Sequence, residues 1–238
     1  MNIQNQENDL KITFEAFKNQ VLEDYKLAVL SRECSYMGRR EVFSGKGKFG
    51  IFGDGKELPQ LALNHFFKNG DFRSGYYRDQ TLLFAQGLLT VENVFAALYA
   101  DLDIEREPMS GGRQMGGHFV TSSRDSEGNW KNLLDQKNHS GDISPTGSQM
   151  PRLLGLAQAS KVYRNNKDLS HKKKFSNNGS EIAFGTIGNS SCAEGHFFEA
   201  VNAIGVLQVP AIISVWDDGY GISVSNEVQM TKSDVSEA

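Results

Sequence analysis

The last third of the chain contains two buried-strand patterns with one helix pattern between them, and this order restricts the fold most. The segments EIAFGTIG (181–188) and PAIISVW (210–216) are short apolar runs, whereas AEGHFFEAVNAIGVLQV (193–209) is typical of a helix. A strand, a helix and a strand within about 35 residues predict a βαβ unit with parallel strands and a right-handed crossover. We therefore predict an α/β fold built on a parallel sheet.

The rest of the chain is predicted to be mainly helical. Helix patterns occur in five segments, at 10–43, 57–67, 78–86, 91–100 and 149–163. Residues 72–77 predict a short strand or an extended turn. Two polar stretches, 121–142 and 165–180, predict surface loops, and the three consecutive lysines in the second are expected to be solvated. A length of 238 residues suits a single domain spanning 1–238.

The charge and the cysteine content limit which partners and which cellular compartment are expected for this chain. A formal net charge of −4 provides no basic field, which argues against general binding to nucleic acid or to an anionic membrane. The first ten residues lack the pattern of a secretory signal, and no run is long and apolar enough for a membrane span. Cys34 and Cys192 lack the spacing of a zinc or redox pair. We expect a cytoplasmic protein whose partners are proteins and small molecules.

Polar residues stand where both strands of the βαβ unit end. The first strand is followed by Gly-Asn-Ser-Ser (188–191) and the second by Asp-Asp-Gly-Tyr-Gly (217–221). Asn189 and Asp218 are 29 positions apart. Because the carboxyl ends of parallel strands meet at one edge of a sheet, these two side chains are predicted to converge on one ion or anionic ligand.

This segment resembles the thiamine-diphosphate enzymes, in which a GDG-type turn is followed about thirty residues later by an Asn-Asn pair. It is most similar to the alpha subunit of the 2-oxo acid dehydrogenase first component, of the branched-chain and pyruvate types. The resemblance implies that Gly188, Asn189, Ser190 and Ser191 bind the cofactor. It also implies Mg²⁺ ligands from the Asp of the first motif, the second Asn of the pair and a carbonyl two residues later, here Asn189, Asp218 and Tyr220.

This chain departs from the family pattern at the two metal-binding side chains. The acid has moved from the first motif to the second, since Asn189 replaces an Asp and Asp218 replaces an Asn. Oxygen donors and a ligand charge of −1 are kept, which is compatible with Mg²⁺. A second departure is Trp216, which stands where branched-chain enzymes carry an Arg that assists with the diphosphate.

Three upstream segments extend the resemblance. GYYRDQ matches a family Tyr-Arg motif, which implies that Tyr77 and Arg78 reach the cofactor, with the guanidinium on the diphosphate. GRQMGGH (112–118) resembles the family's GRQMPVH, and its His118 is interpreted as structural. DISPTGSQMP (142–151) resembles a Ser-Pro segment, implying cofactor contacts from Ser144 and Thr146 and a K⁺ site formed by the carbonyls of Ile143 and Pro145 with Ser148 and Gln149.

The literal Gly-Asp-Gly at 53–55 is not taken as the cofactor motif. It follows no buried strand, and the residue 29 positions after Asp54 is Leu83. The segment GDGKE instead resembles the family's Gly-Gln-Glu at the start of a helix. Glu57 is thus predicted to lie in a first helical turn, where the helix dipole favours an acid.

The resemblance implies a transketolase-like thiamine-diphosphate-binding fold, with a parallel sheet flanked by helices on both faces. The implied activity is oxidative decarboxylation of a branched-chain 2-oxo acid or pyruvate, with acyl transfer to a lipoyl acyltransferase component. A beta subunit or fused beta half would complete the site, so we expect an oligomer and an exposed apolar docking face. Family alpha subunits continue beyond the equivalent of Ala238 and include a catalytic-loop His. We therefore expect a truncated alpha subunit or the start of an alpha–beta fusion, inactive alone, and assign no catalytic residue.

Two alternatives remain open from the sequence. The chain is also compatible with the alpha subunit of an acetoin dehydrogenase, which has the same scaffold. The missing Asp of the first motif is compatible with a non-catalytic α/β module that binds a nucleotide or a metal.

Overall fold

The computed structural model describes residues 12–113, 117–232 and 234–237. The first ten residues, examined above for a secretory signal, and residues 114–116 of the predicted GRQMGGH motif lie outside the described residues. Seven helices are described, α1 (Phe14–Phe43), α2 (Glu57–Phe66), α3 (Gln80–Ala85), α4 (Val91–Leu98), α5 (Gln149–Asn165), α6 (Gly195–Leu207) and α7 (Asn226–Gln229). Six strands are described, β1 (Phe72–Ser74), β2 (Asn138–Ser140), β3 (Ala183–Gly188), β4 (Ala211–Trp216), β5 (Tyr220–Gly221) and β6 (Val224–Ser225).

Four strands form one parallel sheet in the order β2-β1-β3-β4. The predicted βαβ unit is confirmed, because β3 and β4 pair in parallel from Ala183 opposite Ala211 to Gly188 opposite Trp216, with α6 between them in the chain. A short helical turn, Asn189–Ala193, separates β3 from α6. The other two strands, β5 and β6, form a small antiparallel hairpin directly after β4.

Helices cover both faces of the sheet, as predicted. Alternate residues of β3 point to opposite faces. Ala183 and Ile187 join a cluster with side chains of α5 and α6, whereas Phe184 joins a separate cluster with side chains of α2 and α3. The chain is thus an α/β protein in which β3 is buried on both sides, which explains why its sequence is apolar without alternation.

Helix α5 lies directly on β3 because of one glycine. A Cβ atom at Gly185 would lie 2.5 Å from Leu153 Cδ2 and 3.1 Å from the Met150 methyl group. Both of these α5 side chains are fully buried in the cluster that joins the helix to the sheet. The missing side chain at position 185 therefore sets how closely helix and sheet can approach.

Helix α1 begins where Thr13 caps it, through a hydrogen bond from the Ala16 N–H to Thr13 Oγ1 of 3.2 Å. The predicted helix is confirmed over its described residues. Its inward contacts use mainly small side chains, and the buried residues are Ser31, Cys34, Ser35 and Gly38. Several apolar side chains of the helix are exposed, namely Phe14, Phe17, Val21, Leu22 and Tyr25.

The structure differs from the sequence predictions mainly at β2. The stretch 121–142 was predicted to be a surface loop, but Asn138–Ser140 pairs with β1. This strand has only three residues and all are polar, so it shows no alternation of apolar and polar side chains. The strand at 72–77 is also shorter than predicted, since pairing ends at Ser74. Over the described ranges, no helix combines the length and apolar character that crossing a membrane requires.

Candidate functional site

The ten residues predicted to bind the cofactor all lie at, or just after, the carboxyl ends of the four parallel strands. Tyr77 and Arg78 follow β1, whereas Ser144 and Thr146 follow β2. The remaining six residues follow or end the two strands of the βαβ unit: Gly188, Asn189, Ser190, Ser191, Asp218 and Tyr220. Because the four strands are parallel, these segments share one edge of the sheet, where ligands of open α/β sheets bind.

Asn189 joins the two strand ends through its side-chain amide. Its Nδ2 donates to the Tyr220 carbonyl oxygen at 3.1 Å and to Asn226 Oδ1 at 2.6 Å. Asn189 is only 2% exposed. The structure thus brings together two of the three predicted metal ligands, but it does so through an N–H donor.

The direction of this amide is set by a residue outside the predicted motif pair. Asn226, the first residue of α7, donates from Nδ2 to both oxygens of Asp217, at 2.9 and 3.1 Å. Since a carboxylate only accepts hydrogen bonds, this contact fixes the nitrogen of Asn226 towards Asp217 and its oxygen towards Asn189. The nitrogen of Asn189 must then face Asn226.

Asp218, the third predicted metal ligand, is paired with a lysine. Lys56 Nζ lies 2.5 Å from Asp218 Oδ2, and the Tyr220 N–H donates to Asp218 Oδ1 at 3.3 Å. The Lys56 side chain is 8% exposed, whereas that of Asp218 is 55% exposed. Partial burial raises the pKa of Asp218, but the hydrogen bond and charge of Lys56, the Tyr220 N–H and the charge of Arg78 outweigh it, so the pKa is lowered. This carboxylate is held ionised.

The two serines of the first motif differ in their surroundings. Ser190 Oγ is buried and has no hydrogen-bond partner among the described residues, and a Cβ atom at Gly221 would lie 1.8 Å from it. Ser191 is half-buried at the same turn. The glycine at position 221 therefore allows the β5–β6 hairpin to close over the end of β3.

Tyr77 and Arg78 are half-buried beside each other. The Arg78 guanidinium carbon lies 5.3 Å from the centre of the Tyr77 ring. The Arg78 carbonyl accepts from Gln60 Nε2 at 3.1 Å, and a Cβ atom at Gly53 would approach the same oxygen to 2.7 Å. The glycine turn before α2 thus packs against the Arg78 backbone and places Lys56 at the site.

The Gly-Asp-Gly turn, which was not taken as the cofactor motif, makes contacts within the fold. Asp54 is bonded to Arg39 Nη2 at 2.5 Å, and Leu83 is buried in a hydrophobic cluster. Glu57 does lie in the first turn of α2. Its carboxylate accepts two hydrogen bonds from Arg32, at 2.7 and 2.6 Å, which ties α2 to α1.

The segment after β2 is held by two histidines. The Ser144 hydroxyl is hydrogen-bonded to the His118 ring, and the Thr146 carbonyl accepts from His196 Nε2 at 3.0 Å. Two residues of the predicted K⁺ site make hydrogen bonds within the protein. The Pro145 carbonyl accepts from the Ser148 N–H at 3.2 Å, and the Gln149 amide donates to the Thr186 carbonyl at 3.0 Å.

Sequence reasoning missed a buried charged cluster beside the site. Arg73 is fully buried in β1 and bonded to the carboxylates of Asp79 and Asp142. It also donates from Nε to His139 Nδ1 at 2.6 Å, and Thr186 Oγ1 donates to Asp79 at 2.5 Å. Arg73 and Asp79 flank the predicted Tyr-Arg motif, but the partners from β2 and β3 are too distant in sequence to be recognised.

One cation between two buried carboxylates perturbs the ionisation of this cluster. Burial raises the pKa of Asp79 to about 7, with the Asp142 charge adding to the shift and the Arg73 charge opposing it. Burial and the Arg73 charge also lower the pKa of His139 well below its usual value, so its ring stays neutral. Burial also raises the pKa of Asp142, so the proton kept towards neutral pH belongs to the Asp79–Asp142 pair.

Comparison with known proteins agrees with the resemblance seen in the sequence. Residues 25–238 match the family described as "Dehydrogenase E1 component". The chain is 30% identical over 219 residues to the 2-oxoisovalerate dehydrogenase subunit alpha of Bacillus subtilis (strain 168). This alignment covers 92% of the chain and 57% of that relative. The chain thus spans a little over half the length of the relative it matches.

Proposed function

Because the chain belongs to the dehydrogenase E1 component family, we propose that it anchors thiamine diphosphate in the first component of a 2-oxo acid dehydrogenase. The observation that carries this proposal is the placement of all ten predicted cofactor residues at one edge of a parallel sheet. When bound, thiamine diphosphate supplies the nucleophilic carbon and accepts the electrons released with carbon dioxide. The chain's own part is to bind and orient the diphosphate end.

Positive charge at this edge supports diphosphate binding. Arg78 follows β1, and its guanidinium carbon lies 5.3 Å from the centre of the Tyr77 ring. Since a guanidinium can fork onto phosphate oxygens, we assign it the diphosphate. Its charge also acts on Asp218, which places it within electrostatic reach of the end of β4. The hydroxyl-bearing residues Ser144, Thr146, Ser190 and Ser191 are the proposed hydrogen-bonding partners around the cofactor.

The predicted magnesium donors do not fit a cation as they are arranged. Asn189 presents its nitrogen to the Tyr220 carbonyl, and the Asp218 carboxylate is paired with Lys56. Within the described part of the chain, no three His, Cys, Asp or Glu side chains are grouped to hold a metal ion. We assign no step of the function to Mg²⁺ or to K⁺.

We propose a branched-chain 2-oxo acid as the substrate, because the matched relative is named for 2-oxoisovalerate. The proposed partners are a beta subunit or fused beta half, which completes the active site, and a lipoyl acyltransferase that accepts the acyl group. The apolar side chains exposed along α1 support a protein partner.

Calorimetric titration of the full-length protein with thiamine diphosphate, ATP and NAD tests the binding proposal. Of these three ligands, only thiamine diphosphate should bind. Preference for ATP or NAD would overturn the proposal in favour of a non-catalytic nucleotide-binding module. With the beta-type partner added, release of carbon dioxide from 2-oxoisovalerate should exceed that from pyruvate, and turnover of acetoin instead would indicate an acetoin dehydrogenase.

A further inference from the structure

We propose that a hydrogen-bonded amide bridge, and not a magnesium ion, joins the ends of β3 and β4 in this chain. The bridge runs from Asp217 through Asn226 and Asn189 to the Tyr220 carbonyl. As a consequence, the diphosphate binds without an obligatory divalent cation. This consequence rests on the proposed function, whereas the bridge itself does not.

Each contact in the bridge fixes the direction of the next. The Asp217 carboxylate can only accept, so Asn226 must turn its oxygen to Asn189, and Asn189 must turn its nitrogen to Asn226 and Tyr220. Reversing the Asn189 amide would place its oxygen against two other oxygens. Such an arrangement loses two hydrogen bonds at a side chain that is only 2% exposed.

A magnesium ion needs the opposite arrangement, with several oxygens directed at one point. Here the Tyr220 carbonyl and Asn226 Oδ1 already accept from Asn189 Nδ2, at 3.1 and 2.6 Å. The amide nitrogen therefore stands between the oxygens that a cation would bridge. Like a bound cation, this nitrogen connects the turn after β3 to the turn after β4.

The charges at the site agree with this assignment. In the resemblance described above, Lys56 stands in place of Gln, Asn189 in place of Asp, and Asp218 in place of Asn. The three positions thus sum to zero charge here, against −1 in the family pattern. The carboxylate that remains is ion-paired to Lys56 at 2.5 Å. The site has less negative charge to attract a dication, and Arg78 adds a positive charge for a diphosphate.

Thermal unfolding of the full-length protein in MgCl₂ and in EDTA tests the bridge without any assay of activity. The wild-type protein should unfold at the same temperature in both. Asn189→Asp replaces the donor with a carboxylate facing two oxygens, so the variant should unfold at a lower temperature than the wild type in EDTA. In MgCl₂ its unfolding temperature should rise again, because a cation would then bind the folded state. Asn165→Asp, at the exposed end of α5, is the matched control and should show no response to Mg²⁺.

A wild-type protein that is stabilised by MgCl₂ and destabilised by EDTA would overturn the bridge, as would an Asn189→Asp variant that unfolds identically in both. Should Asn189→Asp fail to fold, the unfolding temperatures of the wild type in MgCl₂ and in EDTA still test the bridge. Titration of the wild type with thiamine diphosphate should give the same affinity in EDTA and in MgCl₂, and a tenfold loss in EDTA would overturn cation-independent binding. No thiamine diphosphate binding in either buffer would refute the proposed function, while the unfolding data would still decide the bridge.

Discussion

Lys56 and Asp218 are 162 positions apart in the chain, yet their side chains form an ion pair of 2.5 Å between Nζ and Oδ2. Lys56 immediately precedes α2, and Asp218 follows β4. The pair therefore links the glycine turn before α2 to the end of the last parallel strand. Its two members differ in exposure, and this asymmetry leads to the first prediction.

We predict that Asp218→Asn destabilises the fold more than Lys56→Met does. Removing the carboxylate leaves an ammonium group on a side chain that is 8% exposed, whereas removing the lysine leaves a carboxylate on a side chain that is 55% exposed and can be hydrated. Asp218→Asn should cost about 1–3 kcal/mol of unfolding free energy. Urea unfolding of both variants measures this. Equal losses, or a larger loss in Lys56→Met, would contradict the prediction.

Arg78→Ala should weaken the binding of thiamine diphosphate. The loss of a charge-assisted contact to phosphate corresponds to about 1.5–3 kcal/mol in binding free energy. Calorimetric titration measures the change, and Arg40→Ala, at an exposed position of α1, serves as the control that should bind normally. If Arg78→Ala bound as tightly as the control, Tyr77 and Arg78 would be only a packed pair.

Asp79→Asn should reduce the pH dependence of stability between about pH 4 and pH 7. Because the pKa of Asp79 is raised to about 7, the folded protein keeps a proton that an unfolded Asp, with a pKa of about 3.9, has lost. Stability from this residue is thus greatest below the unfolded pKa, falls as pH rises, and levels off above the folded pKa. The Asn variant, which does not titrate, should lack this fall.

Urea unfolding at several pH values across that interval measures the slope. Asp168→Asn, at an exposed position after α5, is the control that should keep the wild-type slope. An unchanged slope in Asp79→Asn would mean that Asp79 is ionised throughout and that the proton lies elsewhere in the cluster.

Gly185→Ala should destabilise the fold by about 1–3 kcal/mol, because the added methyl group would collide with Leu153 in the packed interface between α5 and β3. Gly205→Ala is a matched change in α6, where the added Cβ meets open space. It should stabilise the protein by about 0.5–1 kcal/mol, since alanine favours a helix interior over glycine. Thermal unfolding compares the two, and a loss of equal size at both positions would refute the packing argument.

The parts of the fold that were predictable from sequence are those with local apolar patterns. The segments that became β3, α6 and β4 each carry an uninterrupted pattern, so both their type and their parallel arrangement were correct. Strand β2 was missed, because Asn138–Ser140 joins the sheet through backbone pairing and has no apolar period. Its His139 side chain belongs to the buried charged cluster instead, where it accepts a hydrogen bond from Arg73.

The candidate site was predictable in position but not in detail. The spacing of the two motifs predicted that Asn189 and Asp218 converge, whereas the structure bonds Asn189 to the Tyr220 carbonyl and Asp218 to Lys56. The direction of the Asn189 amide depends on Asn226 and Asp217, and the state of Asp218 depends on Lys56, a residue from the other end of the chain. Such contacts follow from the three-dimensional arrangement and leave no local signal in the sequence.

The order of strands in the parallel sheet has a consequence for folding during synthesis. Strand β1 pairs with β2 and β3, and just before it Asp71 accepts from the Ile182 N–H across 111 positions. As the chain leaves the ribosome, β1 therefore emerges long before β3, a strand that it pairs with. Until β3 is made, the helices near β1 keep apolar surface exposed. By contrast, β3, α6 and β4 are consecutive, so the later part of the sheet can assemble soon after it is made. Synthesis rate and chaperone access over the first 180 or so residues should thus govern the yield of folded protein.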